Sequence, residues 1–288
     1  MLPSNKRVRS QRFPDGGVPV IQSFDSVAHV YDETRGLPPE VAERVRSTLA
    51  GELRRHFVAP RLLEIGIGTG RIALPVGRHG VVITGLDASP QMLLRLLAKE
   101  PGRGVVVVSA ERPPFRDGSF DAVLFVHTLH LAPDPAAAAG AAIALLVPGG
   151  LVLHGSEDEP ESVRTAADRA LQEIVRDLCG IEIGSWAPYD ATLDLTDEIV
   201  RARGGALDHA EVARWQRTTR ARDMLDRIAR QDFSSSWKIP PEALPSVLER
   251  AAAMFEGIFG GLDNEVAYQK RFLLSIGRLP GHSTFPAA

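Results

Sequence analysis

The sequence predicts an α/β protein built on a doubly wound, mostly parallel sheet. Three observations predict it. From residue 61 onward, short apolar runs alternate with helix-patterned segments, the rhythm of βα units. Two runs, Val105-Val106-Val107-Val108 and Ala122-Val123-Leu124-Phe125-Val126, are apolar without a break, as in strands buried on both faces. The first run, Leu62-Leu63-Glu64-Ile65, enters Gly66-Ile67-Gly68-Thr69-Gly70-Arg71, a loop with glycine at every second position. Such a loop bends sharply and brings backbone against a ligand.

Taken in order, residues 1–22 hold Lys6, Arg7, Arg9 and Arg12 among Pro, Gly and Ser, the composition of a flexible solvated tail or a weak anion contact. Residues 23–58 read as two helices, Phe24–Asp32 and one starting near Pro38-Pro39, where proline suits a first turn. Strands are expected near 61–65, 81–86, 104–108, 120–126 and 150–155, with helices near 70–79, 90–99 and 135–146. Ser89-Pro90 is a helix start, with serine as cap and proline first. Pro148-Gly149-Gly150 should end the alanine-rich helix. These residues, 59–156, form the core unit. After Gly155 the rhythm changes, and 157–208 reads as a helical insertion, longer than one crossover helix needs, that would cover the mouth of a site. Residues 209–288 return to the sheet, with strands at 212–218 and 271–277 and helices near 220–230 and 241–258. That makes seven strands.

Composition narrows the class. The chain has 288 residues, 44% hydrophobic and 24% charged, values of an ordinary globular protein. A net charge of −3 supplies no electrostatic drive toward nucleic acid. The single cysteine, Cys179, excludes an intramolecular disulfide and any multi-thiolate metal site. No run of eighteen apolar residues and no signal-peptide core stand in the sequence, so a cytoplasmic protein without a membrane partner is expected.

The glycine loop gains meaning from Asp87. It closes Val81-Val82-Ile83-Thr84-Gly85-Leu86, a second strand, about twenty residues past the glycines. An acid there suits the two hydroxyls of a ribose, and backbone N–H groups opening the next helix suit an anionic group. An adenosine-containing cofactor is the expectation. Dinucleotide loops require G-x-G-x-x-G, but here Arg71 stands at the third glycine position and Gly70 comes one residue early.

The pattern Glu64-x-Gly66-x-Gly68-x-Gly70 instead resembles motif I of the class I S-adenosylmethionine (SAM) methyltransferases, in the small-molecule group similar to methyltransferase types 11 and 25. The resemblance spans roughly residues 24 to 155. It implies a Rossmann-like fold whose last two strands form an antiparallel hairpin, with the N-terminal helices as a lid. It implies SAM as cofactor, S-adenosylhomocysteine as product and a small-molecule methyl acceptor. Glu64, Gly66, Gly68, Gly70, Asp87, Ala88 and Met92 would bind the cofactor. From the lid, Tyr31 and Arg35 would reach its methionine end, although the same helix equally suits packing on the domain edge. Ser109-Ala110-Glu111-Arg112-Pro113-Pro114-Phe115 is similar to a D-A-x-x-L-P-F segment that caps adenine, with Ser109 in place of the acid and Pro113 in place of leucine. Ser109 would accept from the adenine amino group, and the Ala110 N–H would serve the ring. The scarcity of cysteine argues against the arsenite-methylating relatives.

After the fourth strand comes His127-Thr128-Leu129-His130. The resemblance places His127 beside the cofactor and His130 toward the acceptor, where it would take a proton from an attacking hydroxyl. Imidazole, with an unperturbed pKa near ~6.5, suits that role. Capping or packing of the next helix is the other reading of His130. His154, Glu157, Asp158 and Glu159 would orient it or meet the acceptor, and Trp186, Tyr189, Trp215 and Trp237 lie where an acceptor pocket or ordinary core is expected. No ligand convergence points to a metal. O-methylation is favoured modestly. A nicotinamide-dependent oxidoreductase and a non-catalytic SAM-binding protein remain the alternatives, and a homodimer stays open.

Overall fold

The computed structural model describes residues 24–25, 28–29, 31–32, 36–183, 191–232 and 236–281. Arg35, Trp186 and Tyr189 lie outside them. The chain forms α1 (Pro39–His56), β1 (Arg61–Ile65), α2 (Ala73–Gly77), β2 (Val82–Asp87), α3 (Pro90–Lys99), β3 (Gly104–Val107), β4 (Phe120–Val126), α4 (Pro135–Ala144), β5 (Leu146–Asp158), α5 (Val163–Cys179), α6 (Ala191–Ala202), β6 (Ala206–Thr219), α7 (Ala221–Ala229), α8 (Leu244–Phe259) and β7 (Val266–Arg278). One-turn 3-10 helices lie at Leu129–Leu131 and Ser236–Lys238.

The strands make a seven-stranded sheet in the order β3-β2-β1-β4-β5-β7-β6. The first five run parallel, and β7 is antiparallel to both β5 and β6. The chain winds outward from β1 to β3, then restarts at β4 on the other side. The carboxyl ends of β1 and β4 therefore flank the switch point at which such sheets bind ligands.

Helices cover both faces. Val41, Val45, Leu49 and Leu53 of α1 share one core with Leu93 and Leu96 of α3 and with Leu62, Leu124 and Leu153 of the sheet. On the other face, Ala138, Ala142 and Ile143 of α4 and Val200 of α6 pack with Leu63, Val123 and Val152. A third core joins α5, α7 and α8 through Leu171, Ile228 and Phe255. The helical cover expected over 157–208 thus draws two of its helices from the β6–β7 connection, and α6 packs on the sheet instead.

Start signals behave as their chemistry requires. Ser89 accepts from the Met92 N–H at 3.2 Å, and Asp134 accepts from the Ala137 N–H at 3.0 Å, each followed by proline. Ser162 and Thr165 cap α5 reciprocally.

Four expectations are corrected. The valines of 104–108 are not buried on both faces, because β3 is the outermost strand and Val107 is 55% exposed. The helix after the glycines is five residues long, beginning at Ala73, with Pro75 inside it withholding an N–H. Pro148-Gly149-Gly150 lies within β5, where the register against β4 shifts and Gly149 takes φ +77°. The segment 24–32 is turn at residues 28–29 and helical at 31–32, short of the continuous helix expected.

Gly85 in β2 faces Ile67 so closely that a Cβ there would overlap the Ile67 side chain. Gly85→Ala is expected to lower stability by about 1–3 kcal/mol. Adding Ile67→Ala should make the double variant more stable than the two single losses predict, as read from urea midpoints.

Candidate functional site

A cavity open to solvent lies at the switch point. Its lining includes Gly66, Asp87, Ala88, Ser109, Ala110 and Glu111 among the expected residues, with Phe24, Leu86, Val108, Thr128, Leu131, Ala132 and Pro133 added.

Of the loop glycines, Gly66 reaches the lining, and Gly68 and Gly70 lie buried behind it. Gly66, Gly68 and Gly70 take φ of +67°, +56° and +76°, the left-handed region where a Cβ is strained. A Cβ on Gly66 would also collide with the Thr128 hydroxyl, and one on Gly68 would come within 3.1 Å of Met92 Cε. Met92 supports the loop from beneath, buried in α3. Gly70 turns the chain against Leu74.

Asp87 ties this loop to β2. Its Oδ2 accepts from the Gly68 N–H at 2.8 Å and its Oδ1 from the Ser89 N–H at 2.8 Å. Burial pushes its carboxyl upward, and these two donors work against that shift. The Ala88 N–H pulls the same way, and Asp87 lines the cavity, where a carboxylate accepts hydroxyl donors.

Glu64 is absent from the wall. It is buried under the loop, accepting from the Ala73 N–H at 3.3 Å. Burial raises its pKa from the ordinary 4.5 to about 8, against the pull of Ala73 and Arg71.

The N-terminal segment closes one side. Asp25 accepts from the Ser89 hydroxyl at 2.5 Å and the Gln91 N–H at 3.1 Å. Asp32 accepts from the Thr69 hydroxyl at 2.5 Å and pairs with Lys99 at 2.5 Å, whose ammonium also donates to the Thr69 carbonyl at 2.9 Å. Between these latches Phe24 enters the cavity wall, edge-on to Tyr31 at 5.9 Å and to Trp237 at 5.2 Å. Tyr31 thus supports Phe24 and is not itself part of the lining.

Beyond β4 the site becomes charged. His127 holds φ +52°, unusual for a side chain with Cβ. Its Nε2 lies 3.4 Å from Glu157, which also meets Lys270 at 2.5 Å and Arg71 at 3.5 Å. Burial alone would raise the Glu157 carboxyl. His127, Lys270 and Arg71 overcome it and hold the group well below the usual carboxylate range. Lys270 stands 5.9 Å from the ring of Trp215, which is buried in the α1-side core.

His130 is exposed on the turn Leu129–Leu131, beside the lining but not in it. His154 points to the other face, 2.9 Å from the Thr196 hydroxyl, and is fully buried. Asp158 pairs with Arg271 and Glu159 with Arg164. Among the described residues no three His, Cys, Asp or Glu side chains gather as a metal site, and no helix is long and apolar enough to cross a membrane.

Comparison with known proteins agrees with this geometry. Residues 63–154 match the family described as a methyltransferase domain. An uncharacterized methyltransferase of Mycobacterium tuberculosis is 33% identical over 128 residues, 44% of this chain and 49% of that one. A phosphatidylethanolamine N-methyltransferase of Cereibacter sphaeroides is 32% identical over 112 residues, 37% and 52% of the two chains. Across the relatives named first, the chain spans 35% to 61% of their length. The solved structure of the YcgJ protein from Bacillus subtilis superposes with a TM-score of 0.51 at 17% identity, covering 83% of this chain and 99% of that one, a likeness of fold. Residues 63–154 are thus similar to methyltransferase domains.

Two outcomes are expected here. Between the unfolded pKa of 4.5 and the folded value of about 8, the native state keeps the Glu64 proton that the unfolded chain has lost. This contribution to stability is whole below 4.5 and is lost as pH rises through 8, at up to about 1.4 kcal/mol per unit. Glu64→Gln should flatten that slope in thermal melts from pH 5 to 8. Glu157→Gln should cost about 3–5 kcal/mol by stranding Lys270, and Lys270→Met in the same chain should restore much of it, measured by urea unfolding.

Proposed function

We propose that the chain is a SAM-dependent methyltransferase that acts in the cytoplasm on a small-molecule acceptor, with oxygen as the favoured target. The observation that carries this reading is the pairing of Gly66, in a positive-φ glycine loop, with Asp87 in one cavity, the two Asp87 oxygens oriented by backbone N–H groups. SAM, when bound, supplies a methyl group on a sulfonium. The chain's own groups do the holding: Asp87 accepts hydroxyl donors, Ser109 and the Ala110 N–H meet the base, and Phe24 and Leu131 shield it from water. Methyl transfer depends chiefly on such alignment.

For a hydroxyl acceptor, a base must take the proton. His130 has the chemistry, and its exposed place on the turn next to Leu131, a lining residue, supports that role. A second reading, nitrogen as target, draws on the likeness to the phosphatidylethanolamine N-methyltransferase. An amine that reaches its neutral form in solvent needs no protein base. A net charge of −3 supports an acceptor other than nucleic acid.

Titration with S-adenosylhomocysteine should show binding that Asp87→Ala weakens by roughly 100-fold or more, two charge-assisted hydrogen bonds being lost. Turnover of a hydroxylated acceptor should fall roughly 10²-fold or more in His130→Ala, with cofactor affinity kept. An undiminished rate would remove His130 as the base. Binding of NADH in place of S-adenosylhomocysteine would refute the methyltransferase reading.

A further inference from the structure

At the β3 side of the cavity, the Ser109 hydroxyl donates its proton to Glu111 Oε2. The other oxygen, Oε1, accepts from the Asp134 N–H at 3.3 Å, at the start of α4. Both side chains are partly buried and both line the cavity. A serine hydroxyl alone is ambivalent, with one proton to give and two lone pairs to receive. It would pair equally with an amino group or a carbonyl. Here a carboxylate, which only accepts, claims that single proton. We infer that Glu111 makes Ser109 an obligate acceptor, and so sets the cofactor site to recognise a 6-aminopurine and reject a 6-oxopurine.

The inference rests on the cofactor reading above and adds a positioning residue to it. Glu111 does not itself need to touch the base; it acts through Ser109. A purine amino group donates, and its protons meet lone pairs. A 6-oxo group only accepts, so against the locked serine two acceptors face each other in a partly buried site. Leaving such groups unpaired costs roughly 10- to 100-fold in affinity.

Replacement of Glu111 by glutamine reverses the lock without changing the size of the side chain. The Asp134 N–H holds the amide oxygen, which turns the amide NH2 toward Ser109. Serine must then accept from the amide, and its proton is released toward the cavity.

The experiment is calorimetric titration of the full chain with S-adenosylhomocysteine and with its deaminated analogue, S-inosylhomocysteine. The wild type should prefer the adenosyl compound by roughly 10- to 100-fold. In Glu111→Gln the preference should fall by about tenfold, the part set by the Ala110 N–H against the ring N1–H of the oxopurine remaining, while S-adenosylhomocysteine still binds. Adding Ser109→Asp to Glu111→Gln supplies an acceptor that needs no lock, and the preference should return. A Glu111 that serves only the fold would weaken both ligands in parallel. An unchanged ratio in Glu111→Gln, or no recovery with Ser109→Asp, overturns the inference. Failure of the wild type to bind S-adenosylhomocysteine at all overturns the cofactor reading itself, and this inference with it.

Discussion

The carboxylate of Asp87 joins three parts of the molecule that would otherwise have no reason to meet. It ends β2, accepts from Gly68 in the loop after β1, and accepts from Ser89 at the start of α3. Gly68 and Ser89 are both buried, so their N–H groups would each cost about 1–3 kcal/mol if left without an acceptor. The positive φ of Gly66, Gly68 and Gly70 lets the loop curl back to deliver those bonds. Asp25 then fastens the N-terminal segment to the same corner through Ser89 and Gln91, and Asp32 fastens it to the loop through Thr69 and Lys99. The cavity wall is a consequence of these joints.

Two carboxylates near the switch point, Asp87 in the lining and the buried Glu157 outside it, differ in their surroundings. Around Asp87 the donors are neutral backbone amides, which stabilise a buried acid only partly, and its carboxyl is displaced upward. Around Glu157 the donors are Lys270, Arg71 and His127, and their combined attraction exceeds the desolvation of a nearly buried carboxylate. The same penalty, burial, therefore ends with opposite signs, because full charges outweigh it and partial charges do not. Glu64 shows the limiting case: one long N–H bond and the single charge of Arg71 do not offset complete burial, and the carboxyl is pushed up to about 8.

Much of this was legible in the residues. Apolar runs and capping pairs such as Ser89-Pro90 located the strands and helices, because period and cap chemistry are local properties. The glycine spacing and Asp87 pointed, for the same reason, to the corner where the cavity lies. Sheet position was not legible: Val105-Val106-Val107-Val108 reads as an inner strand, yet only pairing decides that β3 is the edge. Nor was the cavity wall, since Phe24, Thr128 and Pro133 come from distant segments with no periodic signal. Glu157 was visible only as one acid among three. Its selection over Asp158 and Glu159 depends on which face of β5 meets Lys270, a product of the β5–β7 register.

Hydrogen–deuterium exchange with and without S-adenosylhomocysteine tests the location of the site most directly. Slowed exchange confined to residues 66–70, 86–89, 109–111 and 128–133 is the result predicted by a cofactor seated at the junction of β1 and β4. Protection elsewhere, with these four segments unchanged, would contradict it and remove Asp87 from the centre of the account.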